Sequence, residues 1–293
     1  NGRGALFMLE NGAHLVTAVD ISESNVEATE RNCRSAGFTN VVVSLENLDA
    51  LPYDTDSFDF VWCNGVLMHT ERPSACLSEI TRVLRVGGSA WIYVYGEGGI
   101  YWYLIDSIRE VLADLEASQV LATLRLMGLE TRYIGEYIDD WKVPYLRAYQ
   151  PDRFAEILVE LGYHDPERLM RGVGYDTSDR LSRHPADTCW LGSGDLRYFL
   201  TKASASSRKP DSWSDLDIQA TSNWSREILE TFGPLAERLK ACVKSDRNLG
   251  LMACARVQRQ LRDLLSVPGD FQFTKLQTDF SETLDITESL LDN

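Results

Sequence analysis

Short apolar runs alternate with amphipathic segments over residues 1–202 of the chain. A short apolar run bounded by turn-forming residues predicts a buried strand, whereas apolar positions three and four residues apart predict a helix. The pattern predicts strands at 15–19, 41–45, 57–63, 90–95 and 195–202, and helices after Gly4, at 73–84, at 106–129 and at 151–162. Such alternation is typical of an α/β fold with a largely parallel sheet.

The remainder of the chain has a different pattern. Residues 203–213 are small, polar and proline-containing, which predicts a linker. Beyond it, apolar residues at helical spacing predict three amphipathic helices within 214–293. We therefore predict an α/β domain at 1–202, with an insertion at about 97–150, and a helical C-terminal region that packs or mediates homo-oligomerisation.

Four motifs lie where predicted strands end and loops meet a ligand. They are NGRG at 1–4, TAVDIS at 17–22, LPYDTDSFDFVWCNGVLMHT at 51–70 and RVLRVGG at 82–88. Gly2 and Gly4 let backbone amides approach a ligand at a helix N-terminus, and Asp20 after a strand can accept both hydroxyls of a ribose. Together the motifs indicate a nucleoside pocket, although Asp20 could instead cap the helix that follows.

Two classes of nucleoside-cofactor site share the first half of this pattern, and the second half distinguishes between them. The run SFDFVWCN, the helix at 73–84, a turn at Gly87-Gly88 and the strand at 90–95 resemble class I S-adenosylmethionine-dependent methyltransferases. The resemblance is greatest to the ubiquinone and menaquinone biosynthesis branch, strong over residues 1–100 and looser to 202. An NAD-dependent oxidoreductase is disfavoured, because dehydrogenases lack the RVLRVGG segment.

The resemblance implies a set of residues for S-adenosylmethionine. Gly2 and Gly4 would surround the methionine part, Asp20 would bind the ribose and Ile21 would flank the adenine. Asn47 stands where the family often has Asp for the adenine amino group, and an amide can still form that hydrogen bond. The remaining residues are the Leu48 amide at the adenine ring, and Asn64 and Gly65 beside the methionine end.

The resemblance also implies that the insertion at about 97–150 covers the acceptor site. It further implies a Rossmann-like three-layer sandwich whose first strand is missing from this chain. Because that strand lies in the middle of the family's sheet, we expect a central gap with unpaired backbone groups. The chain is therefore expected to be a fragment that binds the cofactor poorly. A catalytically inactive scaffold that acts as an interaction module is the alternative to an enzyme.

Few catalytic side chains are obligatory for methyl transfer, which is an in-line displacement that needs positioning and sometimes proton removal. His69, just past the fourth strand, is the candidate base, or else it only caps or packs the next helix. Glu97 is a second candidate, and Tyr95, His184 and Asp176 are weaker ones. No NPPY-type sequence is present, which favours methylation of oxygen or carbon in a small molecule.

Composition limits the classes of partner and ligand that we expect for the protein. The net charge of −15 disfavours nucleic acid, because phosphate backbones require a basic surface. Six cysteines and four histidines are scattered without metal-like clustering, so we expect reduced, mostly packed cysteines and no metal site. No apolar run reaches membrane-spanning length, and a cytoplasmic protein is predicted.

Overall fold

The computed structural model describes residues 2–169, 191–204, 226–265 and 273–292. Within these ranges the helices are α1 Arg3–Glu10, α2 Glu23–Ser35, α3 Pro73–Val83, α4 Gly99–Val111, α5 Ala117–Leu126, α6 Thr131–Trp141, α7 Pro151–Glu160, α8 Arg226–Ser245, α9 Arg247–Leu265 and α10 Phe273–Leu291. The strands are β1 Val16–Asp20, β2 Val41–Leu45, β3 Phe58–Asn64, β4 Leu84–Gly96, β5 Ala148–Tyr149, β6 Tyr163–Leu169 and β7 Asp195–Lys202, and a 3₁₀ turn spans Leu67–His69.

The chain divides into two compact units. The first contains Asn1–Tyr95, Tyr149–Gly172 and Leu196–Ala220, and the second contains Gly96–Ala148, Val173–Asp195 and Thr221–Asn293. The segment after the predicted fifth strand thus shares a unit with the C-terminal helices. The predicted linker at 203–213 lies outside the described residues from 205 onward.

Strands of the first unit form two separate sheets. Among the described strands, β1 pairs with β2 alone, in parallel. The second sheet has the order β3-β4-β7-β6, with β5 also paired to β4. Within the described part of the chain, no strand pairs with the edge of β1 that is away from β2, or with the edge of β3 that is away from β4. The predicted α/β class is confirmed, and the described strands leave a gap between the β1–β2 sheet and the sheet that contains β3.

Helix α1 contacts elements on either side of this gap. An ideal Cβ on Gly2 would lie 3.0 Å from Thr29 of α2, and one on Gly4 would lie 3.2 Å from the Trp62 indole nitrogen on β3. The Phe7 ring lies 5.7 Å from the Trp62 ring. Both glycines therefore have a packing reason to lack a side chain, and α1 links the β1–β2 sheet to the β3 sheet.

Each of the last four backbone carbonyls of α3 accepts a hydrogen bond. The Leu84 amide donates to the Ile80 carbonyl, and the backbone amides of residues 56 and 57 donate to the carbonyls of residues 82 and 83. The remaining carbonyl, of Thr81, accepts from the Lys202 ammonium at 2.8 Å. The RVLR segment is thereby joined to the final strand, since helix ends require such partners.

Two predicted elements differ from the structure. The predicted turn at Gly87-Gly88 lies inside β4, where pairing to β3 moves from Phe58↔Leu84 to Phe60↔Ser89, so the extra residues form a bulge. The predicted single helix at 106–129 is two helices, α4 and α5, because a capping box at Glu116 and Gln119 starts a new helix.

Strand β6 was not predicted, and it pairs antiparallel with β7. Its sequence YHDPERL is polar and contains Pro166, and the pairing register shifts between His164 and Glu167. Proline in strands is confined to edges and bulges, and β6 is an edge strand with a bulge. Apolar periodicity could not identify it.

The second unit contains α4 to α6 and the three predicted C-terminal helices. The predicted apolar positions that the structure describes are buried, among them Phe232, Leu239, Leu261 and Phe280. Arg238 of α8 joins α10 through hydrogen bonds to Glu288 and Asp285. In the part of the chain that the structure describes, no helix is long and apolar enough to cross a membrane.

Candidate functional site

The first candidate residues lie at the carboxyl end of β1. Asp20 is the last residue of this strand, and one of its carboxylate oxygens accepts a hydrogen bond from the Ser22 amide at 2.9 Å. Helix α2 starts at Glu23 with Ser22 as its N-cap, so Asp20 lies outside the capping position. Ile21 follows with a side chain that is 74% exposed. A fixed carboxylate beside an exposed apolar face fits a ribose and its purine.

Asn47 and Leu48 lie next to Asp20 because β1 and β2 are parallel neighbours. The Glu46 amide donates to the Asp20 carbonyl at 3.1 Å, which brings the ends of the two strands together. The Asn47 side-chain oxygen accepts from the Asp49 amide at 3.3 Å, so the exposed amide side chain is held by its own turn. Leu48 is half-buried in the same turn.

Gly2 and Gly4 lie at the amino end of α1. Gly2 is the N-cap residue and has a φ of 78°, a left-handed conformation that favours glycine. A helix amino end presents free amides and a partial positive charge, which suit an anionic group such as a carboxylate. The two glycines thus combine the packing role described above with this geometry.

Asn64 and Gly65 lie at the carboxyl end of β3. The Trp91 indole N–H donates to the Asn64 side-chain oxygen at 2.8 Å, and the Trp91 ring stacks on Trp62 with centroids 5.0 Å apart. Gly65 has a φ of 74°, and its ideal Cβ would lie 3.6 Å from the Tyr93 ring. Trp91 therefore orients Asn64, a role that sequence reasoning missed.

His69 ends the 3₁₀ turn that follows β3. Its half-buried ring lies edge-on to Tyr95, with centroids 5.7 Å apart, and Tyr95 in turn meets Tyr93 edge-on at 5.8 Å. The buried guanidinium of Arg197 stacks over Tyr93 at 4.5 Å. The alternation of Trp91, Tyr93 and Tyr95 along β4 is the sequence signal for this aromatic face.

Glu97, the other predicted catalytic residue, lies in the second unit. Burial raises the pKa of its carboxyl, and its backbone carbonyl accepts from the Ser193 amide at 2.8 Å. Of the weaker candidates, Tyr95 contacts His69 as described, whereas His184 and Asp176 lie outside the described residues. A search of the described residues gives no cluster of histidine, cysteine, aspartate or glutamate side chains able to hold a metal ion.

The structure brings the predicted cofactor residues together in two groups within the first unit. Asp20, Ile21, Asn47 and Leu48 form one group at the joined ends of β1 and β2. Gly65, Asn64 and His69 form the other, after β3. Helix α1, with Gly2 and Gly4, contacts elements of both sheets. These are the carboxyl ends of parallel strands, where ligands bind in open α/β sheets.

One family model matches the segment that contains the predicted cofactor residues. Residues 1–92 match the family model described as "Methyltransferase domain". The predicted resemblance to class I S-adenosylmethionine-dependent methyltransferases is confirmed over this segment.

Two curated relatives of the chain are themselves named as methyltransferases. Demethylmenaquinone methyltransferase of Clavibacter sepedonicus is 37% identical over 87 residues, which are 30% of this chain and 34% of that protein. The 27-O-demethylrifamycin SV methyltransferase of Amycolatopsis mediterranei is 31% identical over 139 residues, which are 44% of this chain and 51% of that protein. The chain thus spans about half or less of the curated relatives that it matches.

A solved structure with a similar fold is Burkholderia thailandensis 1,6-didemethyltoxoflavin-N1-methyltransferase with bound 1,6-didemethyltoxoflavin and S-adenosylhomocysteine. It is 17% identical, with a TM-score of 0.41, and the match covers 69% of this chain and 67% of that one. A likeness this distant does not bear on the function.

Proposed function

We propose that the protein is an S-adenosylmethionine-dependent methyltransferase that moves a methyl group to an oxygen or carbon of a small-molecule acceptor. The observation that carries the proposal is the pair Asp20 and Asn64, each at the carboxyl end of a parallel strand inside the segment that matches the methyltransferase domain. The known activities of the relatives support the class of reaction, and the acceptor of this chain is not inferred from them.

The cofactor supplies an electrophilic methyl group on a positively charged sulfur. In our proposal Asp20 accepts the ribose hydroxyls, Ile21 covers one purine face, and Asn47 and the Leu48 amide meet the purine edge. Gly2 and Gly4 at the start of α1 take the methionine part, with Asn64 and Gly65 on its other side. These contacts fix the methyl group, so that an acceptor atom can approach in line with the breaking C–S bond.

Proton removal is the remaining requirement. The cofactor would supply the methyl group, and an oxygen or acidic carbon acceptor would give up its proton to a base of this chain. His69 is the proposed base, since an imidazole accepts a proton near neutral pH and its ring is held by Tyr95. Glu97 is the second proposed acid–base group, and the raised pKa of its carboxyl is consistent with that role.

The divided sheet sets a condition on this function. The edge of β1 away from β2 and the edge of β3 away from β4 pair with no described strand, and a further strand would satisfy their backbone groups. We propose that tight cofactor binding requires such a strand, because it would fix the β1 and β3 residue groups relative to each other.

Titration calorimetry with S-adenosylhomocysteine tests the proposal. The chain and a form extended at its amino end by an apolar strand and a glycine-rich turn are titrated in parallel. We expect the extended form to bind more tightly, and Asp20→Ala to weaken binding by about tenfold or more, since hydrogen bonds to a charged group contribute about 1.5–3 kcal/mol each. Glu27→Ala, which removes an exposed carboxylate from α2, is the matched control.

Two results would contradict the proposal. Equal binding by Asp20→Ala and the parent would remove Asp20 from the site. No binding by either form would favour the alternative of a catalytically inactive scaffold that acts as an interaction module.

Two further statements belong to the proposal. A homo-oligomer through the C-terminal helices is supported by Leu229, Met252, Ile286 and Leu290, which are about half exposed. We also propose a cytoplasmic location and a small-molecule acceptor, and the net charge of −15 supports a partner that is not a nucleic acid. Sedimentation equilibrium tests the first, and a monomer at all concentrations would contradict it.

A further inference from the structure

A groove lies between α5 and α6 in the second unit. Its volume is about 510 Å³, and both helices and the loop between them line it. Volumes of this size are typical of sites for small organic molecules, about 300–1,000 Å³. None of the residues assigned to methyl transfer lines this groove.

The floor of the groove is apolar. Ile134 is buried, while Leu121, Leu129 and Ile138 are half-buried and line the same surface. The exposed parts of the lining are Ser118, Thr131 and other small or polar groups at the rim. An apolar floor with a polar rim favours a ligand that is itself mostly apolar.

Gly135 adds an independent observation. It lies inside α6 without a positive φ, so the backbone conformation does not require glycine. A Cβ built on it would meet no atom within 4 Å, so packing does not require glycine either. Glycine inside a helix is less favourable than alanine, because its backbone loses more conformational freedom. Gly135 lines the groove, and a side chain larger than a methyl group at this position would project into its open space.

Charge narrows the class of ligand. Arg125 is the basic side chain among the lining residues, in a chain with a net charge of −15. Asp139, the acidic residue of the lining, takes part in an interaction of its own. The exposed guanidinium of Arg125 therefore makes the rim attractive to an anion.

We propose that the α5–α6 groove binds an amphiphilic small molecule, with an apolar body on the Leu121–Ile134–Ile138 floor and one anionic group at Arg125. The occupant is a carboxylate or phosphate ester of a hydrocarbon chain or ring. The proposal is independent of methyl transfer, because it concerns binding in the second unit alone.

Calorimetric titration of the full chain with decanoate tests the proposal, with decyltrimethylammonium as the probe of opposite charge. We expect decanoate to bind. The cation should bind more weakly by a factor of at least about two to five, which is the effect of one exposed ion pair. Arg125→Gln should reduce the affinity for decanoate by the same factor. Gly135→Leu should reduce it by about tenfold or more, since an added side chain fills the space.

Gly135→Ala is the matched control. It should retain decanoate binding and raise the Tm by about 2–4 °C through its helix propensity. Circular dichroism verifies the fold of each variant. Unchanged decanoate affinity in Gly135→Leu, or no binding by the parent, overturns the proposal. A concentration-dependent dimer that Gly135→Leu abolishes also overturns it, because a second copy would then fill the groove.

Discussion

Replacing Lys202 by methionine should destabilise the first unit through the end of α3. The Lys202 side chain is 3% exposed, and its ammonium donates to the Asp56 carboxylate, the Thr81 carbonyl and the Leu84 carbonyl at 2.8, 2.8 and 2.6 Å. A positive charge at a helix carboxyl end is also favourable for the helix dipole. Methionine keeps the apolar stem and removes all three hydrogen bonds.

The expected loss of unfolding free energy depends on the three acceptor groups that Lys202→Met leaves without their donor. The Asp56 side chain is 46% exposed, so water can solvate its carboxylate once the ammonium is gone. The carbonyls of Thr81 and Leu84 are left without this donor in a buried place, at about 1–3 kcal/mol each. Methionine avoids the desolvation of a charge, which offsets part of the loss. We expect the free energy of unfolding to fall by about 2–4 kcal/mol.

Urea unfolding followed by circular dichroism measures this change. Lys244→Met, which replaces an exposed lysine of α8, should change the unfolding free energy by about 0.5 kcal/mol or less. Asp56→Asn should cost less than about 1 kcal/mol, because the carboxylate is half exposed. A loss below about 1 kcal/mol in Lys202→Met would refute the view that the ammonium satisfies the end of α3.

The remaining predictions concern titration and thiol reactivity. The hydrogen bond from Arg82 lowers the pKa of Glu79 below its ordinary 4.5, so the pair stabilises the fold above that pH and loses this effect as the pH falls through the lowered pKa. The difference in Tm between the parent and Glu79→Gln should be largest at pH 7 and shrink below pH 4.5; a constant difference would contradict this. Burial raises the pKa of the Cys63 thiol to about 12, so iodoacetamide at pH 8 should modify Cys63 in urea and not in the native protein, as peptide mapping would detect.

Much of the fold could be predicted from local pattern. Strands β1, β2, β3 and β7 follow short apolar runs, and the buried positions of α8 and α10 follow helical spacing. The five described cysteines are free and buried, as their scattered spacing indicated. These features depend on the period of a single segment, which the sequence carries directly.

Other features depend on partners distant in sequence. The bulge at Gly87-Gly88 arises from the register between β3 and β4, and β6 is a polar strand that exists because β7 offers it an edge. The orientation of Asn64 by Trp91 joins residues 27 apart. The roles of Asp20, Asn64 and His69 could be proposed from motifs. The α5–α6 groove has no sequence motif, because it arises from the packing of two helices in the folded structure.

The divided sheet has a consequence for the thermodynamics of binding. Residues 2–50 make one short parallel pair with two helices, and this local module can open at a lower free energy than the β3-β4-β7 core. A ligand that contacts Asp20 and Asn64 together would have to order the module before it could be held. Part of its intrinsic affinity would then be consumed by that ordering, so that binding and folding of this region become a single coupled equilibrium with a large negative heat-capacity change.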